Sequence, residues 1–228
     1  MAIYAGPDIV DNGLVLHLDA ANPRSYPRTG TTWFDLSGGN NNGTLTNGPS
    51  FSSLSGGSID FDGTNDLVDL TNTPNLDITT NDFALELWLY YLRSSVPAAK
   101  VAARGAYLTT GWTIYAGKFG SFPDEITFQY GSTTWVSVGG LAVTENNWYH
   151  VCVTRLNGTI TTYINNTNTG SRVDSYNFSS TNPTIIGRNA VSGDWFKGSV
   201  AVFRQYNIGL NSNQVTQNFN ATRGRFNL

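Results

Sequence analysis

The residues able to do acid–base chemistry are few and scattered. The chain has three glutamates: Glu86 stands alone in an apolar run, Glu125 follows Asp124 at a turn, and Glu145 precedes Asn146-Asn147. A glycoside hydrolase needs two carboxylates at a fixed separation, one as acid and one as nucleophile or base. No Glu-x-Asp-x-x-Glu array supplies them. A Gly-x-Ser-x-Gly elbow, a glycine-rich phosphate loop and a His-Glu-x-x-His pair are also missing from the sequence, so acyl transfer, phosphoryl transfer and zinc hydrolysis lose their usual signatures. The expectation is a protein without a catalytic residue.

Three smaller constellations remain. His17 and Asp19 are two apart in one strand and point to the same side. They read either as a metal or proton-transfer pair or, preferably, as strand-end groups that satisfy nearby loop backbone. His150, inside Trp148-Tyr149-His150-Val151-Cys152-Val153, carries the same two readings, and Cys152 reads as a small buried hydrophobe. Asp62, Asn65 and Asp66 surround a glycine turn. Calcium takes carboxylate and carbonyl oxygens, which makes Asp62 and Asp66 candidate metal ligands. The alternative is an ordinary turn whose carboxylate bonds its own backbone.

Aromatic residues are the richest asset. Trp112, Tyr115, Tyr130, Trp135 and Trp195 stand among Asn, Ser and Thr, and a flat ring beside amide donors suits the face of a sugar. The candidate ligand-binding set is Trp112, Tyr115, Trp135, Asn189, Asp194 and Trp195. The competing reading makes them core, or a protein–protein patch. Phe119-Gly120-Ser121-Phe122-Pro123 reads as an exposed loop tip.

Composition narrows the partners. Charged residues are 13% of the 228, against roughly 25% in ordinary soluble domains. With 24 glycines this is a loop-and-strand composition. Thirteen Lys+Arg against 16 Asp+Glu give a net charge of −3 without a basic run, which disfavours nucleic acid. A single cysteine, Cys152, forbids an intrachain disulfide. The N-terminus lacks a positive and then apolar leader, and no 18 consecutive residues are apolar. Synthesis in a cytoplasm without a signal peptide or membrane insertion is therefore expected.

The elements that must position these groups are short alternating runs bounded by Gly, Asn, Pro or Asp, the pattern of an all-β sandwich or barrel. The runs are Leu14 to Leu18, Ser58 to Phe61, Phe83 to Tyr91, Trp112 to Tyr115, Ile126 to Tyr130, Trp148 to Arg155, Thr159 to Ile164, Thr184 to Ile186 and Ser199 to Tyr206. In the third, Phe83, Leu85, Leu87 and Leu89 form a core face, and Glu86, Trp88 and Tyr90 a partly exposed aromatic one. Asn157-Gly158 predicts a type I′ hairpin. Asn12-Gly13, Asn42-Gly43 and Asn47-Gly48 mark further turns, and residues 22–53 read as one long polar loop or meander, in which Trp33, Phe34, Leu36, Leu45 and Phe51 need burial. One helix is predicted from Asn211 or Ser212, with Gln214 completing a capping box and Val215 and Phe219 on one side. A single domain, residues 13–228, follows an N-terminal arm of residues 1–12.

Gly13-Leu14-Val15-Leu16-His17-Leu18-Asp19-Ala20, Trp33-Phe34-Asp35-Leu36-Ser37-Gly38 and Ser58-Ile59-Asp60-Phe61-Asp62-Gly63 resemble the concanavalin A-like lectin/glucanase superfamily, in its laminin-G-like branch. Trp148 to Arg155 and Phe196 to Tyr206 resemble that family's central and closing strands. The resemblance implies a jelly-roll β-sandwich of two antiparallel sheets with a short C-terminal helix. Where the family's closing strand carries acidic residues this chain has Ala201 and Val202, and the glucanase carboxylates are missing. A fold of this kind hosts lectins, adhesion modules, glycosidases and structural proteins, so function must come from the site.

The wording from His17 to Pro27 also resembles modules on structural proteins of tailed bacteriophages. That implies a non-catalytic lectin-like module on the virion surface, a capsid decoration or fibre-type protein. It would attach to capsid or tail proteins, with residues 1–12 as docking arm. The alternative is a true carbohydrate-binding lectin or adhesion module, calcium-assisted or not, gripping surface glycans. An oligomer is compatible with either reading.

Overall fold

In a computed structural model the described residues are 7–70, 73–105, 110–118, 123–131, 134–190 and 193–228. In chain order β1 (Leu14–Asp19), β2 (Thr32–Trp33), β3 (Gly43–Thr46), β4 (Ser50–Ser52), β5 (Ser58–Asp62) and β6 (Leu67–Leu70) form the N-terminal part. They are followed by β7 (Phe83–Tyr91), β8 (Ala99–Arg104), β9 (Trp112–Lys118), β10 (Asp124–Tyr130) and β11 (Val136–Ala142). Then come β12 (Asn147–Leu156), β13 (Thr159–Ile164), β14 (Thr167–Val173), β15 (Thr184–Ile186), β16 (Lys197–Tyr206) and the helix α1 (Ser212–Thr222). The first sheet runs β14-β13-β12-β7-β16-β5-β4, with β1 also paired to β16. The second runs β11-β10-β9-β8-β15-β6-β3-β2, and the strand pairs of both are antiparallel. The architecture is a jelly-roll β-sandwich.

Alternation puts Phe83, Leu85, Leu87, Leu89 and Tyr91 of β7 against Ile114, Ile126, Phe128, Val68 and Ile186 of the opposite sheet in one core. Each large apolar side chain fully buried this way contributes about 1.5–3 kcal/mol. At one side the sheets meet edge to edge. Thr162 Oγ1 donates to the Val138 carbonyl at 2.7 Å. A Cβ on Gly170 would stand 2.7 Å from the Gly139 Cα, so β11 and β14 approach closely because both lack side chains there.

Every run singled out in the sequence is a strand, and the hairpin turn has positive φ at both Asn157 (50°) and Gly158 (76°). Asn211 caps α1, its side chain accepting from the Asn213 and Gln214 backbone while Gln214 returns the bond. Residues 22–53 hold β2, β3 and β4, as the meander reading expects and a single loop does not. Two readings need correction. Asn42-Gly43 opens β3 rather than standing as a free turn. Trp33 and Leu45 of this polar stretch are core residues. The Glu86–Trp88 face of β7 is not exposed either: Glu86 and Trp88 are fully buried, because α1 and the C-terminal turn lie over them. Phe226 stacks on Trp88 at 4.0 Å between centroids, Phe219 at 5.7 Å, and Trp88 Nε1 donates to Thr222 Oγ1.

Candidate functional site

The covered face of the first sheet is a closed ionic cluster. Glu86 accepts from Arg204 Nη1 at 2.8 Å on Oε1, with His150 Nε2 3.0 Å from that same oxygen, and from Asn218 Nδ2 at 2.6 Å on Oε2. Its carboxyl is held down to about 2, because Arg204 and His150 outweigh the burial that pushes the other way. Asn218 also accepts from the Val10 backbone, so the N-terminal segment, α1 and the sheet meet at one carboxylate. His17 lies nearby with its pKa lowered to about 4, chiefly by burial and then by Arg204. Cys152 is fully buried on this side, packed with Val10, Tyr206 and Val215. His150 is thus a structural group, and residues 7–12 of the predicted docking arm include Val10, packed under α1; Met1 to Gly6 lie outside the described residues. Asp19 accepts from the Ala21 backbone and from Arg225, the strand-end role preferred for it.

The outer face of the second sheet is built differently. A β-bulge in β8 sends both Val101 and Ala102 into the core while Lys100 and Ala103 face outward. The bulged Val101 leaves its carbonyl free to accept from Gly187, where the chain leaves β15. From there the chain crosses the sheet. Lys100 N–H donates to the Asp194 carbonyl at 2.9 Å, Ser94 Oγ to the Trp195 carbonyl at 2.8 Å, and Phe196 N–H returns to Gly187. Phe196 then plugs the core beside Phe61. Asp194 takes a left-handed φ of 59°, a conformation Asp tolerates.

This crossing brings together much of the predicted ligand set. Lys100, Arg104, Trp112, Thr113, Trp135 and Asn189 line one small recess. Trp195 lies alongside, bridged to Lys100, packed on Leu67, Ala103 and Ile185, with the Arg188 guanidinium 5.4 Å over its ring. Trp135, Asp194 and Trp195 keep accessible surface. Trp112 and Tyr115 do not: each is 2% exposed, Trp112 in the inter-sheet core and Tyr115 under Lys100, whose Nζ is 5.0 Å from its ring centre. Neither offers an open ring face. Tyr130 is likewise core, its hydroxyl donating to Asp174. Sequence reading passed over Lys100 and Arg188, although a lysine inside Ala98-Ala99-Lys100-Val101-Ala102-Ala103 is a detectable anomaly.

Asp62 and Asp66 form the ordinary turn. Asp62 Oδ1 accepts from the Thr64 and Asn65 backbone, and Asp66 Oδ2 from the Asp62 backbone. Asp66 is buried and its carboxyl raised, first by desolvation. Two carboxylates already holding backbone N–H groups fit a calcium cage poorly, and no cluster of three acidic, His or Cys side chains occurs among the described residues. The remaining glutamates stay apart: Glu125 accepts from the Tyr115 hydroxyl and Glu145 from the Arg93 backbone. Among the described residues no helix is long and apolar enough to cross a membrane. The predicted loop tip Phe119–Phe122 lies outside the described residues.

A family model described as concanavalin A-like lectin/glucanases superfamily matches residues 62–216, more than half of the chain. No curated protein sequence matches. Among solved structures, the binding domain of Paraclostridial Mosquitocidal Protein 1 superimposes with TM-score 0.73 at 17% identity, over 92% of this chain and 52% of that one. Domain 4 of AbnA, a GH43 extracellular arabinanase from Geobacillus stearothermophilus in complex with arabinotriose, gives 0.69 at 19%, over 89% and 96%. The binding domain of Botulinum neurotoxin DC in complex with rat synaptotagmin II gives 0.71 at 15%, over 93% and 52%. The chain spans about half the length of these toxin binding domains. At such identities the likeness is one of fold.

Proposed function

The chain belongs to the concanavalin A-like lectin/glucanases superfamily, and on that premise we propose that it is a non-catalytic, lectin-like module that binds glycans on the outer face of its second sheet. The observation that carries this reading is that Trp135 and Trp195, both half-buried with accessible surface, stand beside Lys100: Trp135 and Asn189 line a recess with it, and Trp195 is bridged to it. Stacking surface and hydrogen-bond donors are the two things a sugar ring needs. Similar folds support it, one seen in complex with arabinotriose and another from botulinum neurotoxin type C, whose cell entry is described as dependent upon interaction with two ganglioside molecules. The non-catalytic part is supported by the glutamates, each committed to a separate structural bond.

Saturable binding to at least one immobilised glycan, lost in Trp135→Ala, is the expected result; an array on which nothing binds contradicts the reading. The particle setting, with attachment to capsid or tail proteins, rests on the resemblance of residues 17–27 alone. Its test is deletion of residues 1–6, which leaves the Val10–Asn218 bond in place. Loss of particle attachment by this folded variant supports a docking arm, and unchanged attachment removes it.

A further inference from the structure

The ligand chemistry of this same face can be narrowed, granted the glycan-binding reading. Lys118 and Lys197 are exposed at strand ends, whereas Lys100 is 7% exposed in the middle of the sheet. Among the described residues no carboxylate or carbonyl lies within ion-pair or hydrogen-bond distance of its Nζ. The Tyr115 ring beneath it offsets only part of the hydration an ammonium loses on burial. The nearby acidic groups are otherwise placed: Glu125 is taken by the Tyr115 hydroxyl, Asp69 faces Arg188, and Asp194 acts on Lys100 only through space.

Other donors around the recess are equally short of acceptors. The Asn189 side chain is 5% exposed and makes no hydrogen bond to another described residue. Arg188 Nε, on the guanidinium stacked over Trp195, has none either. A buried ammonium beside an amide donor matches the two oxygens of a carboxylate, and such charge-assisted bonds are stronger than neutral ones. We infer that the recess lined by Lys100, Trp135 and Asn189, with Trp195 alongside, takes the carboxylate of an acidic sugar residue, a uronic acid, with Lys100 as its counterion and an indole face against the sugar ring.

The test uses the full chain, titrated with polygalacturonate, alginate and hyaluronan and with the carboxyl-reduced form of each. Reduction removes the carboxylate and leaves the ring hydroxyls and any sulfate ester in place. The expected result is at least tenfold tighter binding to one acidic polymer than to its reduced form. Lys100→Met, folded by its melting transition, loses that preference, and Lys100→Arg retains part of it. Equal binding to both forms, or a preference that survives Lys100→Met, overturns the inference. Binding confined to neutral glycans also overturns it while leaving the glycan-binding function standing. Failure to bind any glycan, acidic or neutral, removes both. Should Lys100→Met not fold, the comparison of native and reduced polymers with the unaltered chain still decides.

Discussion

On the outer face of the first sheet a buried carboxylate, Glu86, has a partner on each oxygen and is sealed under α1. On the outer face of the second a buried ammonium, Lys100, rests on an aromatic ring without an acceptor among the described residues, beside tryptophans that keep accessible surface. Both faces place a charge in the middle of a sheet. One satisfies it from within the chain, and the other leaves the satisfying group to arrive from outside. The difference teaches where to look for function: a buried charge matters for binding when the fold has not already neutralised it.

The comparison breaks most visibly at Glu86. Removing one member of a buried, paired network leaves its partners uncompensated, so Glu86→Ala is expected to cost about 3–5 kcal/mol in chemical denaturation. A loss under 1 kcal/mol would mean the cluster is not the clamp described. Acidification attacks the same region. Glu86 and His17 both have folded pKa values below their ordinary ones, 4.5 lowered to about 2 and 6.5 lowered to about 4. The unfolded chain therefore binds more protons, and the stability these groups contribute is full above about 6.5. It is lost through His17 as pH falls toward 4 and through Glu86 between 4.5 and 2, at up to about 1.4 kcal/mol per pH unit per group. Melting curves between pH 7 and 3 check this, and a flat profile contradicts it.

Lys100→Met sharpens the contrast, since it removes a buried charge that has no acceptor. It is expected to leave stability unchanged or to raise it by about 1 kcal/mol, opposite in sign to Glu86→Ala. A destabilisation as large as that of Glu86→Ala would show that Lys100 is structurally paired after all. The smallest effect is expected from chelation. With Asp62 and Asp66 holding their own turn, EDTA should shift the melting temperature by less than about 1 °C and leave glycan binding unchanged; a clear shift would return calcium to the turn.

Much of the fold was legible because it depends on local rules. Period-two runs gave the long strands, Asn157-Gly158 gave the hairpin, and Asn211 with Gln214 gave the helix start. The short strands β2, β3 and β4 were harder to read, since they are two to four residues long and each carries one large apolar side chain, too few to show an alternation. The site was legible in part. Trp135, Asp194 and Trp195 reach the face with open surface, but tryptophan and tyrosine spacing alone does not separate an inward ring such as Trp112 from an outward one. That separation is made by the bulge at Val101 and the loop crossing that it anchors, which bring together residues far apart in sequence. The helix covering Glu86 is likewise a long-range event, so Glu86 reads as isolated until Arg204 and Asn218 arrive 118 and 132 residues later.

The most direct test of the second sheet's outer face as the binding surface is a glycan array probed with the unaltered chain and with Trp135→Ala/Trp195→Ala. The account predicts discrete glycan binding by the unaltered chain and none by the double variant, with the folded melting transition of both retained. Binding of the same glycans by the double variant at unchanged strength would contradict it and place the site elsewhere on the molecule.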